Sequence, residues 1–211
     1  MTYLNQLIKR TAPMTRCQCA APSRRAYSYH RNGQWSGEGD IAMKFAYADP
    51  PYLGCAKYYP EHPEAAIYDT IEGYQMLINR LVDEFPDGWA ISLCTPSLRV
   101  ILPMCPEDCR VAAWTKPFCS FKPGVNPAYA WEPVIFRGGR KHTRQDMTVR
   151  DYCAVGITLR RGFTGAKPVG FCNWIFDLLN MQPEDDFVDL FPGSGAVGRA
   201  YESWKASGRL W

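Results

Sequence analysis

Phe187-Val188-Asp189-Leu190-Phe191-Pro192-Gly193-Ser194-Gly195-Ala196-Val197-Gly198 passes from an apolar run, over a proline and two glycines, into helix-forming residues that continue to about Lys205. Phe187 to Phe191 reads as a strand ending on a carboxylate. Glycines between a strand end and a helix start let a ligand approach the backbone and the helix N–H groups closely. The spelling Gly193-x-Gly195-x-x-Gly198 also matches a dinucleotide fingerprint, which needs a further strand and an acidic residue about 20 positions on. Thirteen residues follow Gly198, so a nicotinamide enzyme is not expected. A loop for another ligand outweighs a plain strand-to-helix turn, because a plain turn does not require so many glycines beside an aspartate.

The residues upstream alternate in the same way. Pro168 to Leu179 forms a helix with Phe171, Trp174, Ile175, Leu178 and Leu179 on its apolar side. Ile41 to Ala48 reads as a largely buried strand that stops at Asp49-Pro50-Pro51, since prolines cannot continue a central strand. Ile71, Tyr74, Leu77, Ile78, Leu81, Val82 and Phe85 recur at helical spacing until Pro86-Asp87-Gly88 ends the run. Short strands are expected at Trp89 to Cys94, Val111 to Trp114 and Trp131 to Phe136, with a short helix at Ser97 to Met104. Strand and helix alternate, which predicts an α/β fold with a mostly parallel sheet and helices on both faces. Residues 1–40 show no sustained period and are expected to be a weakly structured extension to a domain at 41–211.

Composition narrows the class. With 211 residues, 46% of them apolar, the chain suits one core-forming domain. Lys and Arg number 24 against 21 acidic residues, so any basic patch is local. Nine cysteines are an odd number in a long chain with no signal-peptide pattern, which favours reduced thiols and a cytoplasmic location over a disulfide framework. No stretch of about 18 apolar residues occurs, so no membrane-spanning helix is expected. Cys17, Cys19 and His30 lie near one another, but C-x-C is tighter than zinc pairs use and a fourth ligand is lacking, so no metal is expected.

Asp49-Pro50-Pro51-Tyr52 is the second motif with chemistry in it. Alone it reads as a rigid turn with a buried tyrosine. Its chemical reading concerns an aromatic amino group, whose nitrogen lone pair is delocalised into the ring. A carboxylate and a backbone carbonyl that accept its two N–H bonds localise that lone pair for attack. Asp49 and the carbonyl of Pro50 would be those acceptors, and the prolines fix where they point. Tyr52 would stack on the base once it has left its helix.

The two motifs, in this order, resemble the permuted DPPY-type amino-methyltransferases, in which the catalytic segment comes first and the cofactor loop last. Asp189-Leu190-Phe191-Pro192-Gly193-Ser194-Gly195 resembles the family's D-x-F-x-G-[ST]-G motif. Gly165-Ala166-Lys167-Pro168 resembles its K-P segment. The likeness runs from about Ile41 to Trp204. It implies a circularly permuted, Rossmann-like S-adenosylmethionine-dependent methyltransferase acting on the N6 amino group of adenine in DNA. RNA adenine, cytosine and a non-catalytic nucleic-acid-binding subunit remain as alternatives. Cytosine enzymes of the family more often carry Ser in place of Asp49, and glutamine-modifying ones Asn.

Carried over residue by residue, the resemblance gives Asp49, Pro50, Pro51 and Tyr52 to the target amino group and base. Lys167 would pair with the cofactor carboxylate and Asp189 with its amino group, while Phe191, Gly193, Ser194 and Gly195 would line the cofactor pocket. The family usually continues into a strand whose acid holds the cofactor ribose. Here residues 20–40, Asp40 among them, are expected to supply that contact by closing over the cofactor. Arg137, Arg140, Lys141, Arg144, Arg150, Arg160 and Arg161 stand against Asp146 and Asp151, which suggests phosphate tracking rather than a solvated face. Lys57, Tyr58, Tyr59 and His62 follow the catalytic turn and are expected near the flipped base. Recognition loops are expected at 53–68, 116–130 and 137–165, and a homodimer is compatible with so small a chain. Target sequence and a restriction, viral or regulatory role stay open.

Overall fold

The computed structural model describes residues 27–29, 35–37, 41–60, 62–118, 123–157 and 166–207. The chain divides into two units, residues 1–41 and 42–211. In the first, β1 (Tyr27–Tyr29) and β2 (Trp35–Gly37) pair antiparallel, with Tyr29 opposite Trp35. This hairpin was not expected from residues 1–40. The rest of that extension, including Cys17, Cys19, His30 and Asp40, lies outside the described residues.

The second unit is built on a six-stranded sheet of order β7-β5-β6-β4-β3-β8. Its strands are β3 (Lys44–Ala48), β4 (Gly88–Ser92), β5 (Arg110–Thr115), β6 (Trp131–Gly138), β7 (Tyr152–Ala154) and β8 (Asp186–Asp189). β3 pairs in parallel with both β4 and β8, and β5 with β7; β6 runs antiparallel to β4 and β5. The sheet is therefore mostly parallel, as the alternation of elements predicts. β7 has no period to read in three residues, and it falls inside the expected 137–165 loop.

Alternation along each strand divides the core between two faces. Ala46, Ala48, Trp89, Ile91 and Ile135 point to one face, where they meet Tyr74, Leu77, Ile78 and Leu81 of α1 (Ile71–Glu84). Phe45, Tyr47, Ala90, Val134 and Phe136 point to the other, against α3 (Val169–Leu178) and α4 (Ala196–Ser207). There Phe176 contacts Phe187, Tyr201 and Trp204 in one aromatic cluster. The chain thus leaves β3 over one face and reaches β8, the opposite neighbour of β3, over the other. Between β3 and β8 the winding reverses, and in open α/β sheets the crevice outside the carboxyl ends of such strands is where ligands bind.

Local chemistry sets the element ends. The Thr70 side chain accepts from the Gly73 amide at 3.0 Å and caps α1. A Cβ at Gly73 would lie 1.9 Å from the Ile67 carbonyl oxygen, so only glycine fits that turn. α2 (Thr95–Ile101) follows β4, opening on Thr95-Pro96 two residues before the expected start. At the amino edge of the sheet, Asp185 is fully buried and accepts from the amides of Met43 at 2.8 Å and Gln182 at 2.7 Å. Tyr201 donates to the Asp185 carbonyl, tying α4 to the start of β8.

Candidate active site

The carboxyl edge of the sheet gathers both sequence motifs. Tyr47 of β3 stands opposite Asp189 of β8, and the Leu190 amide donates to the Tyr47 carbonyl at 2.9 Å. Asp49, just beyond β3, and Asp189, the last residue of β8, are thereby held at neighbouring strand ends. Tyr68 packs edge-on against Phe191 with ring centroids 4.8 Å apart, which joins the segment after the proline turn to the glycine loop. The turn itself is pinned from behind: the Tyr74 hydroxyl of α1 donates to the Pro51 carbonyl at 3.0 Å, and Pro50 is buried. Beyond it, the Asp69 carboxylate accepts from the amides of Gly54 and Cys55.

Asp49 does not stand alone. Lys167 Nζ lies 3.0 Å from Asp49 Oδ1 and 3.5 Å from Glu132 Oε2. Glu132 also receives Lys116, and the Tyr52 hydroxyl donates to it at 3.0 Å. Charges alternate along Lys116, Glu132, Lys167 and Asp49. The Trp114 ring lies 4.9 Å from the ammonium of Lys116 and 5.4 Å from that of Lys167, and Phe171 lies 5.7 Å from the latter. Burial pushes the Asp49 carboxyl up, and the Lys167 ammonium only partly offsets this. Burial pushes Glu132 up as well, but Lys167 and Lys116 outweigh it and hold that carboxyl below its usual range. Burial would lower Lys167, yet Asp49 and Glu132 together hold it above the ordinary lysine value. Each member favours the charged form of the next.

Lys167 was expected to face a ligand carboxylate. Its side chain is 6% exposed and spent on two carboxylates of the chain itself. It reaches them because Pro168 starts α3 at this edge, its carbonyl accepting from the Phe171 and Cys172 amides. Glu132 was missed altogether. Its only mark in the sequence is a lone charge at the start of an apolar strand, and β6 carries it here only because that strand runs against the others.

Asp189 presents a different environment. Its Oδ1 accepts from the Phe191 amide at 3.2 Å, while Oδ2 is buried and has no hydrogen-bond partner among the described residues. Burial first, and Asp49 in addition, raise its carboxyl to about 6 despite that amide bond. An orphaned buried carboxylate oxygen fits a cationic donor such as an amino-acid ammonium. The loop after it turns through Gly193 and Gly195, both at positive φ (42° and 70°). A Cβ at Gly195 would come 2.9 Å from Nη1 of Arg199, which donates to the Ser194 carbonyl. Positive φ favours glycine at both positions, and Gly193 is exposed. These residues fit the amino-acid end of S-adenosylmethionine.

The described part of the basic run from Arg137 to Arg144 is not brought to this site. Trp89 at the start of β4 pairs with Arg137, whereas Ser92 at its end pairs with Val134. Arg137 therefore lies at the amino edge of the parallel strands, a strand length or about 15 Å from the Asp49 edge. There Arg137 pairs with Asp108 at 2.7 Å, and Arg140 pairs with buried Asp185 while only 11% exposed. The Lys141 carbonyl is held by Asn180 on the same side, and Arg144 follows in that exposed loop. An open cavity of about 340 Å³ beside Arg137, Arg140 and His142 belongs to this far edge. The expectation that Arg137, Arg140 and Lys141 track phosphates beside the pocket thus meets the reversal of β6, which carries them away. Lys57 and Tyr58, in contrast, are exposed in the turn that follows Asp49, with Lys57 Nζ 5.3 Å from the Tyr58 ring. Arg160 and Arg161 lie outside the described residues.

No family model and no curated protein matches this chain. Solved structures do. The M1.HpyAVI–SAM complex is similar over 78% of this chain and 79% of its own, with a TM-score of 0.52 at 14% identity. A second structure of M1.HpyAVI gives 0.50 at 13% identity, covering 78% and 77%. A Thermus thermophilus protein assigned as a DNA modification methylase gives 0.49 at 16% identity, covering 78% of both chains. At these identities the likeness is one of fold, and the fold is the Rossmann-like α/β arrangement described above.

Proposed function

We propose that this chain is an S-adenosylmethionine-dependent methyltransferase that modifies the N6 amino group of adenine in DNA. The observation that carries the reading is the pair of carboxylates at the winding reversal: Asp49 fixed ahead of two prolines, and Asp189 with Oδ2 buried and unpartnered among the described residues. The fold shared with the M1.HpyAVI–SAM complex supports the choice of cofactor.

S-adenosylmethionine, when bound, supplies a methyl group on a positively charged sulfur. Asp189 would take the cofactor's ammonium, and Phe191, Gly193, Ser194 and Gly195 would shape the loop against its amino-acid end. On the acceptor side, the Asp49 carboxylate and the Pro50 carbonyl accept the two N–H bonds of the amino group. Lys167 favours the ionised form of Asp49 against its burial and bonds it through Oδ1, so that Oδ2 can face the substrate. With both N–H bonds held, the nitrogen lone pair would be localised for attack on the methyl group that the cofactor would supply. The surplus proton on nitrogen leaves toward Asp49 and solvent. Tyr52, its hydroxyl tethered to Glu132, offers its ring to a base turned out of the helix. Lys57 and Tyr58 contact the flanking backbone and bases.

Asp40 and the N-terminal extension remain proposed for the ribose side, and the domain at 41–211 for the catalytic unit. Incubation with methyl-labelled S-adenosylmethionine and DNA, RNA or protein, followed by nucleoside analysis, tests the reading. N6-methyladenine from DNA, absent with Asp49→Ala, is the expected result. N4-methylcytosine or labelled RNA would move the substrate. No transfer to any acceptor, with nucleic-acid binding retained, would leave a binding subunit.

A further inference from the structure

Glu132 holds three donors on one carboxylate that is 17% exposed: the Tyr52 hydroxyl, Lys116 and Lys167. Two of these are the groups that govern the acceptor side of the site. We propose that Glu132 is a positioning residue, setting the ring of Tyr52 through its hydroxyl and dividing Lys167 between two carboxylates so that Asp49 keeps an oxygen for the acceptor. The catalytic consequence rests on the proposed function; the arrangement of Lys167 does not.

The argument is electrostatic and geometric. Lys167 sits between Asp49 and Glu132 at 3.0 and 3.5 Å. If Glu132 loses its charge, Asp49 becomes the only carboxylate in contact with that ammonium among the described residues. The pair then closes, and the ammonium competes with the substrate for both Asp49 oxygens. The other groups around Lys167 do not replace the missing charge. Lys116 is a like charge on the far side of Glu132, Tyr52, Tyr59 and Cys172 are neutral, and Trp114 and Phe171 offer only ring faces. Losing the hydroxyl bond instead frees the Tyr52 ring, while both carboxylates stay in contact with Lys167. The two arms therefore separate experimentally.

The test uses the full chain labelled with ¹³C at the lysine ε carbons, with Lys167→Met to assign the Lys167 signal. In E132Q, which keeps size and an acceptor oxygen, the titration midpoint of Lys167 falls by about one pH unit or more. Methyl transfer falls roughly tenfold or more in kcat with KM for DNA little changed, as expected from misplacement rather than lost binding. Y52F lowers kcat and leaves the Lys167 titration where it was, and E132D restores the titration. An unshifted Lys167 in folded E132Q, or a shifted one with wild-type kcat, overturns the proposal. Should E132Q not fold, a Lys167 midpoint that moves in Y52F, or a Y52F kcat equal to wild type, overturns it instead. If the wild type transfers no methyl while Lys167 shifts as stated, the positioning geometry stands and the proposed reaction fails.

Discussion

Asp189→Asn removes one charge from the end of β8 and leaves the size of the side chain unchanged. In the folded protein this carboxyl is raised to about 6, chiefly by burial, whereas an unfolded aspartate titrates near 3.9. Between those values the folded state binds more protons than the unfolded one, so the group's contribution to stability falls as pH rises. It is fully favourable below about pH 4 and has become a cost above about pH 6. For a fully buried group the shift corresponds to about 3 kcal/mol. Asp189 is only partly buried, which reduces the figure to about 1–1.5 kcal/mol. Asparagine keeps an acceptor for the Phe191 amide and carries no charge, so it recovers roughly 1 kcal/mol at neutral pH. The unliganded variant should therefore melt about 3 °C higher than wild type at pH 7.5 and at the same temperature near pH 4, followed by circular dichroism. Calorimetry at pH 7.5 should find S-adenosylmethionine binding lost in the variant. Binding to wild type should weaken as pH drops below about 6, because a protonated Asp189 cannot pair with an ammonium. A variant that melts lower than wild type at pH 7.5, or differs equally at both pH values, refutes the reasoning. Stability conceded at a ligand contact is the pattern expected of a binding site rather than a structural one.

Arg140→Met should cost about 3–5 kcal/mol in urea denaturation, because it strands the charge of fully buried Asp185. Lys141→Ala and Arg144→Ala, both exposed, should stay within about 0.5 kcal/mol of wild type. Gly73→Ala should destabilise by more than about 2 kcal/mol, seen as a lower Tm, since the new methyl meets the Ile67 carbonyl and the turn into α1 must shift. Lys57→Ala should weaken DNA binding and reduce its salt slope by about one charge without altering Tm. Tyr58→Ala should weaken binding with the slope unchanged.

Much of this protein can be read along the chain, and the reason is that the informative contacts are local. The strand, glycine turn and helix around Asp189 occupy one continuous segment, as do the strand and proline turn around Asp49. Periodicity reports which residues are buried, and Gly and Pro report where the backbone must turn. The order of those segments also predicts the α/β class and the mostly parallel sheet. Single-residue placements fared differently. Lys167 stands in a segment that resembles a cofactor contact, yet its partners are set by the ends of β3 and β6, which are distant in sequence. β7 was too short for any period to register, and the hairpin at β1 and β2 lies in a stretch without one.

The direction of β6 is the clearest case. Nothing in Trp131 to Gly138 states whether the strand runs with its neighbours or against them, because burial on each face is the same either way. That one choice brings Glu132 to the site and carries Arg137 and Arg140 to the opposite edge. By itself the sequence determined the two motifs and the layered fold, since each rests on neighbouring residues and their spacing. Only the tertiary structure decided which charges meet, because an ion pair depends on where separate strands end rather than on what either strand contains.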